Sequence, residues 1–148
     1  MNNAKEEIKF YSELGYYGEF SNFANYPVRL NGQVWQTAEH YFQAQKFENK
    51  SYQDKIANAL TPMKAAELGR SRKEKIKMNW DKKKDNVMYE VIKAKFMQHE
   101  ELRSLLVGTN NAIIVEHTEN DAYWGDGGNG KGKNKLGKIL MKVREELK

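Results

Sequence analysis

A chain of 148 residues with 25 Lys and Arg against 20 Asp and Glu, a net charge of +5 and no cysteine is expected to bury one core without disulfides or thiolate-bound metal. The opening MNNAKEEIKF lacks an apolar leader run, and no stretch approaches the ~20 residues of a membrane span, so a single soluble domain in a reducing cytoplasm is expected, with no membrane partner. The cations concentrate in residues 70–84, interleaved with acids, which reads as a solvated lysine-rich surface that remains compatible with some attraction for phosphate-bearing ligands.

In chain order, residues 8–12 read as a short strand, followed by an aromatic, glycine-punctuated segment. Asn31-Gly32 between β-rich flanks predicts a two-residue type I′ hairpin that pairs Leu30 with Gln33 and Val28 with Trp35. Thr37 then caps a helix over AEHYFQAQKF, with Glu39 in its first turn and Ala38, Tyr41, Phe42 and Gln45 on one stripe. A second helix is expected over residues 52–60. A third is capped by Thr61, begins at Pro62 and ends near Gly69. Residues 80–97 read as a longer helix and 100–107 as another, stopped by Gly108. Ile113, Ile114 and Val115 read as a buried strand, and Leu136, Ile139, Leu140, Val143 and Leu147 mark a terminal amphipathic helix. The expected class is α+β, a helix-rich single domain over 1–148 with a small, mainly antiparallel sheet.

Between that last strand and helix lie five glycines in eight residues, Gly125 to Gly132. The run nearly matches a phosphate-binding P-loop, but Gly132 stands where Ser or Thr must hold magnesium, and the preceding strand ends too early. A purely structural loop and a ligand-contacting loop both fit. The second is favoured because Trp124 and Asp126 stand at its entrance. Trp124 is either a stacking platform for a base or a core tryptophan, and Asp126 either a ribose ligand or a turn former. Glu39, Gln43 and Lys46 share a helix face, either as a polar border or as an acid and an amine beside a reacting centre. His40, His99 and His117 have no metal-ligand spacing, so no metal or other cofactor is expected.

The motifs FSNF, TAEHYFQAQKF, LGR, AKF, VEHTENDAYWGDG and GKNKLGKILMKVREEL, in that order with Gly32 and Trp80, resemble the NADAR (YbiA-like) family from about Glu19 to Leu147. The resemblance implies an N-glycoside hydrolase of compact α+β fold. It brings two substrate classes: phosphoribosylamino-pyrimidine intermediates of riboflavin biosynthesis, and ADP-ribose attached to the amino group of guanine in nucleic acid or nucleotide. The second implies functional pairing with an ADP-ribosyltransferase. Glu39 is then expected as the catalytic carboxyl, Lys46 as an alternative covalent nucleophile, and Asp126 as the group on the ribose hydroxyls. Phe20, Asn22, Gln43, Arg70, Trp80, Trp124, Gly125, Gly127 and Lys131 are expected to contact substrate, with Lys133 a further phosphate candidate. Two rival readings remain, a non-catalytic ADP-ribose-binding module and a nucleic-acid-binding protein without chemistry.

Overall fold

A computed structural model describes residues 5–148; the opening segment read above for a leader includes residues 1–4, which lie outside this description. The elements in chain order are β1 (Glu7–Phe10), a single 3-10 turn (Gly18–Phe20), β2 (Val28–Leu30), β3 (Gln33–Trp35), α1 (Ala38–Gln45) and α2 (Lys50–Ala57). There follow α3 (Pro62–Gly69), α4 (Trp80–Gln98), α5 (Glu100–Val107), β4 (Ile113–Glu116) and α6 (Lys135–Leu147). The class is α+β, with six helices and two separate strand pairs, one antiparallel and one parallel. Among the described residues, no helix is long and apolar enough to cross a membrane.

The chain forms two compact units, Asn25–Gln98 and a second made of Met1–Ala24 with His99–Lys148. In the first, β2 and β3 make the expected hairpin: Asn31 and Gly32 take φ of 54° and 79°, and the register is Val28↔Trp35 and Leu30↔Gln33. The turn is also tied to a helix, because Asn31 Nδ2 donates to the Tyr41 hydroxyl at 3.0 Å. Thr37 Oγ1 accepts the His40 amide at 3.2 Å and caps α1, and Thr61 with Pro62 starts α3. The second helix begins two residues earlier than expected, because Asn49 caps it by accepting the Tyr52 amide at 2.9 Å.

Helix α1 departs most from expectation. A half-buried amphipathic helix was expected, but α2, α3, α4 and β3 all pack on α1, burying Ala38, Glu39, His40, Tyr41, Phe42 and Ala44. Burying each large apolar side chain contributes roughly 1.5–3 kcal/mol, whereas the polar ones must find partners inside. His40 shows how. Its Nε2 sits 3.0 Å from the Ala59 carbonyl, which can only accept, so that nitrogen carries the proton. Nδ1 is then free to accept from the Thr37 hydroxyl at 2.8 Å. Burial lowers the His40 pKa against the opposing pull of that carbonyl, so the ring is neutral.

In the second unit, β1 and β4 pair in parallel with Ile8 opposite Ile114, and the buried stripe of α6 (Leu136, Leu140, Val143, Leu147) packs against β4 and α5. Ile139, expected inward, is half-buried, and Arg144 lies inside instead. The Arg144 guanidinium donates to the Ala112 carbonyl at 2.7 Å and the Thr109 hydroxyl at 3.0 Å. Asn134, left-handed at φ 50°, presents its amide to the edge of β4 like a further strand: Oδ1 accepts from Glu116 N, and Nδ2 donates to Ile114 O. Gly137 allows that approach, since a Cβ there would collide with the Ile114 carbonyl. Gly137→Ala is therefore expected to cost roughly 1–3 kcal/mol in urea unfolding despite alanine's better helix propensity. An unchanged or higher midpoint would show that α6 can move away from β4 freely.

Candidate functional site

Within Asn25–Gln98, three of the expected residues form one connected arrangement on α1. Gln43 Nε2 donates to Glu39 Oε2 at 2.8 Å, one helical turn away. One turn further, Lys46 Nζ donates to the Gly69 carbonyl at 2.8 Å. Glu39 is 9% exposed, while Gln43 and Lys46 are half-buried. The Gln43 amide lies against Gly69, where a Cβ would overlap it, and its Oε1 meets no protein donor among the described residues. A buried, unsatisfied oxygen costs about 1–3 kcal/mol. It persists here because turning the amide over would set Oε1 against the Glu39 carboxylate.

Lys46 is half-buried, and its pKa is lowered. Loss of water is the largest cause, followed by the positive charges of Arg72 and Lys84; Glu39 and Asp81 oppose the shift without cancelling it. Its surroundings are fixed by main-chain pairing. The segment between α3 and α4 returns beside the end of α1, with Lys77 N donating to Lys46 O at 2.9 Å and Glu48 N to Lys75 O at 3.2 Å. A single antiparallel bridge joins Phe47 and Ile76. Lys46 and Arg72 share the Gly69 carbonyl, and Arg72 Nη1 also donates to the carbonyls of Arg70 and Ser71. Two cations thus satisfy the open carbonyls at the C-terminus of α3. Arg70 itself is exposed, and Trp80 is buried against Phe42 with ring centroids 5.4 Å apart. Arg72 was missed from sequence because it looked like one cation among many in a solvated run.

The other expected residues lie in the second unit. Asp126 is buried, and its carboxylate is engaged on both oxygens: Oδ2 with His117 Nδ1 at 2.7 Å, Oδ1 with the amides of Gly128 at 2.8 Å and Thr118 at 3.3 Å. Burial raises its pKa, but these donors outweigh burial and hold it below the ordinary aspartate value. Its hydrogen bonds therefore organise the loop, whatever else it contacts. The glycines have similar local reasons. Gly127, Gly128 and Gly130 take positive φ, and a Cβ at Gly125 or Gly132 would collide with the loop's own backbone.

The loop's amides are largely spent internally. Trp124 N donates to Asp121 Oδ1, Gly127 N to Asp121 O, Lys131 N to Asn129 Oδ1 and Gly132 N to Asp126 O. Side chains remain on offer. Trp124 is half-buried, edge-on to Tyr123 at 4.8 Å; Lys131 is exposed; and the Lys133 ammonium lies over the Tyr123 ring. Phe20 is fully buried against Phe10 and Tyr17. Asn22 is buried. Among the described residues, no three His, Cys, Asp or Glu stand together as metal ligands.

A family model described as the NADAR domain matches residues 9–148. "N-glycosidase YbiA" of Shigella boydii serotype 4 (strain Sb227) is 55% identical over 140 residues, covering 95% of this chain and 88% of that protein. "Riboflavin biosynthesis protein VVA0006" of Vibrio vulnificus (strain YJ016) is 37% identical over 146 residues, covering 99% of this chain and 40% of that protein. The NMR structure of the E. coli protein YbiA superposes with a TM-score of 0.90 at 52% identity, over 97% of this chain and 86% of that one.

The contact between Gln43 and Gly69 provides a test of this site that spares the fold. In Gly69→Ala the new methyl meets the end of a flexible side chain, not backbone. The melting temperature is expected to stay close to wild type, helped by alanine's helix propensity, while Gln43 is displaced from Glu39 and turnover falls at least tenfold. Full activity in Gly69→Ala would show that the Gln43–Glu39 bond does not matter.

Proposed function

This chain belongs to the NADAR family and is an N-glycosidase, and we propose that the bond it cleaves joins C1 of ADP-ribose to the exocyclic amine of a guanine base. The observation carrying this reading is the Lys46 amine, half-withdrawn from water and raised on the Gly69 carbonyl, with the Glu39 carboxylate near enough to influence its charge. A ribose C1 bonded to an exocyclic amine can open its ring to an imine, and an imine carbon is attacked by a neutral amine. A lysine of ordinary pKa is almost wholly protonated at neutral pH. The depressed pKa of Lys46 keeps more of it in the reactive form.

The sequence of bonds follows. A proton from solvent completes ring opening, leaving a hydroxyl on C4 and a protonated imine at C1; the Lys46 amine adds to C1, and Glu39 takes the proton that the new ammonium sheds. Glu39 returns that proton to the departing nitrogen, the C1–N bond breaks, and guanine leaves with its amine restored. C1 is then held to Lys46 as a Schiff base. Water adds to it, the C1–Nζ bond breaks, and the sugar closes with a hydroxyl at C1. One water is consumed, and neither oxidation nor reduction occurs. Gln43 holds the Glu39 carboxylate by one oxygen while the proton moves. Such an enzyme undoes the product of an ADP-ribosyltransferase.

Residues 70–84 carry eight cations, and main-chain bonds at Lys75 and Lys77 tie that segment beside Lys46, which favours a substrate with more than one phosphate. The riboflavin biosynthesis name of the Vibrio relative favours a second reading, in which the same residues cleave phosphoribosylamino-pyrimidines. Purified protein incubated with ADP-ribosylated guanine nucleotide should release free ADP-ribose, detected by chromatography, faster than it cleaves the pyrimidine substrate. Glu39→Gln and Lys46→Arg are each expected to lose about a hundred- to ten-thousand-fold in turnover with melting temperatures unchanged. Because the neutral amine is the active form, activity should rise with pH and level off below the 10.5 of an ordinary lysine. Tight binding without release would instead make the protein a reader of ADP-ribose, and Glu39→Gln within threefold of wild type would remove Glu39 from catalysis.

A further inference from the structure

Arg72 has a structural task that uses only part of its guanidinium. Among the described residues its hydrogen bonds leave from Nη1 alone, to the carbonyls of Gly69 at 3.4 Å, Arg70 at 3.1 Å and Ser71 at 3.0 Å. The group is therefore held in place from one corner, while Nε and Nη2 make no such bond and the residue is exposed. A guanidinium anchored in this way presents its remaining donors as a fork, the shape that matches two oxygens of a phosphate.

The charge balance beside it points the same way. Arg72 and Lys84 both act electrostatically on Lys46, so three cations share this neighbourhood with two carboxylates, Glu39 and Asp81. Glu39 accepts from the neutral Gln43 amide, and Asp81, 92% exposed, lies 3.4 Å from Lys84 Nζ and partners it. The Lys84 side chain is only 23% exposed. Like charges gathered around a half-buried amine oppose one another unless an anion joins them.

We propose that Arg72 forms the subsite for the phosphate carried on C5 of the sugar whose C1 meets Lys46. The inference rests on the reading of Lys46 as the group that meets C1. In a ribose, C1 connects through the ring oxygen and C4 to C5 and its phosphate, so a sugar seated with C1 at Lys46 carries its phosphate within the same neighbourhood. Both substrate classes bear a phosphorylated C5, as the terminal group of a pyrophosphate or as a monophosphate. The subsite selects phosphorylated ribosides over plain nucleosides and orients C1 toward the amine.

The test separates this subsite from the turnover chemistry by using an unreactive probe. Methyl ribofuranoside 5-phosphate has a blocked C1 and cannot form a Schiff base; the same glycoside without phosphate is its control. Calorimetric titration of wild type should show binding of the phosphorylated probe only. Arg72→Gln should weaken it about ten- to a hundredfold, and Arg72→Lys should recover part of that loss, since it keeps the charge but not the fork. Lys55→Gln removes one exposed cation from α2 and should leave affinity within twofold. Melting curves establish that each variant is folded. Arg72-dependent binding supports the subsite even if ADP-ribosylated guanine proves not to be the substrate. No binding to wild type at millimolar probe, wild-type affinity in folded Arg72→Gln, or an equal loss in Lys55→Gln would each overturn it.

Discussion

Helix α1 carries polar residues through the interior of its unit, and among the described residues their buried side-chain polar atoms, save Gln43 Oε1, are answered by something nearby. An amide or carboxylate left unpaired in such a place costs about 1–3 kcal/mol or more, comparable to what a well-buried aromatic contributes. The fold meets this requirement with partners drawn from different elements: Thr37 and Ala59 for His40, Gln43 for Glu39, and the last carbonyl of α3 for Lys46. Placing the α3 C-terminus against α1 thus serves two ends. It supplies the oxygen that holds the lysine, and it leaves the carbonyls that fix Arg72 alongside.

On the proposed reading, the same burial frees the Lys46 amine to react. An ammonium loses hydration when half-enclosed, and the added charges of Arg72 and Lys84 disfavour it further, so its pKa falls. Stability alone would argue for removing one of these cations or burying an apolar group instead. Perturbed titration in a cluster of this kind is what a reacting amine needs. The family to which the chain belongs, with relatives named as N-glycosidases, supplies the bond class on which such an amine would act.

Local features were legible in the sequence wherever the chemistry is local. The Asn31-Gly32 turn determined the hairpin register through its two positive φ angles, and Thr37, Thr61 and Pro62 marked helix starts by their capping geometry. Glu39, Gln43 and Lys46 could be grouped because i, i+4 and i+7 positions stack on a helix. Features that depend on distant segments meeting were not legible. The parallel pairing of β1 with β4 joins strands at opposite ends of the chain, and nothing in either strand announces its partner. The burial of Glu39 and His40 within α1 was hidden because polar residues on a helix mimic a solvent-facing edge. Glycines at 125, 128 and 132 suggested an open loop, whereas tight packing of the loop on itself accounts for them. Arg72 could be singled out only once the α3 carbonyls were seen to converge on it.

Covalent attack by Lys46 is the central claim, and reductive trapping addresses it most directly. Borohydride added during turnover of ADP-ribosylated guanine nucleotide should reduce the Schiff base to a stable secondary amine, adding the mass of the reduced ADP-ribosyl group to the intact protein, with peptide mapping placing it on Lys46. Lys46→Arg should show no adduct. Continued release of ADP-ribose with no trapped adduct, or with Lys46→Arg as active as wild type, would contradict the covalent route and leave attack by water, assisted by Glu39, in its place.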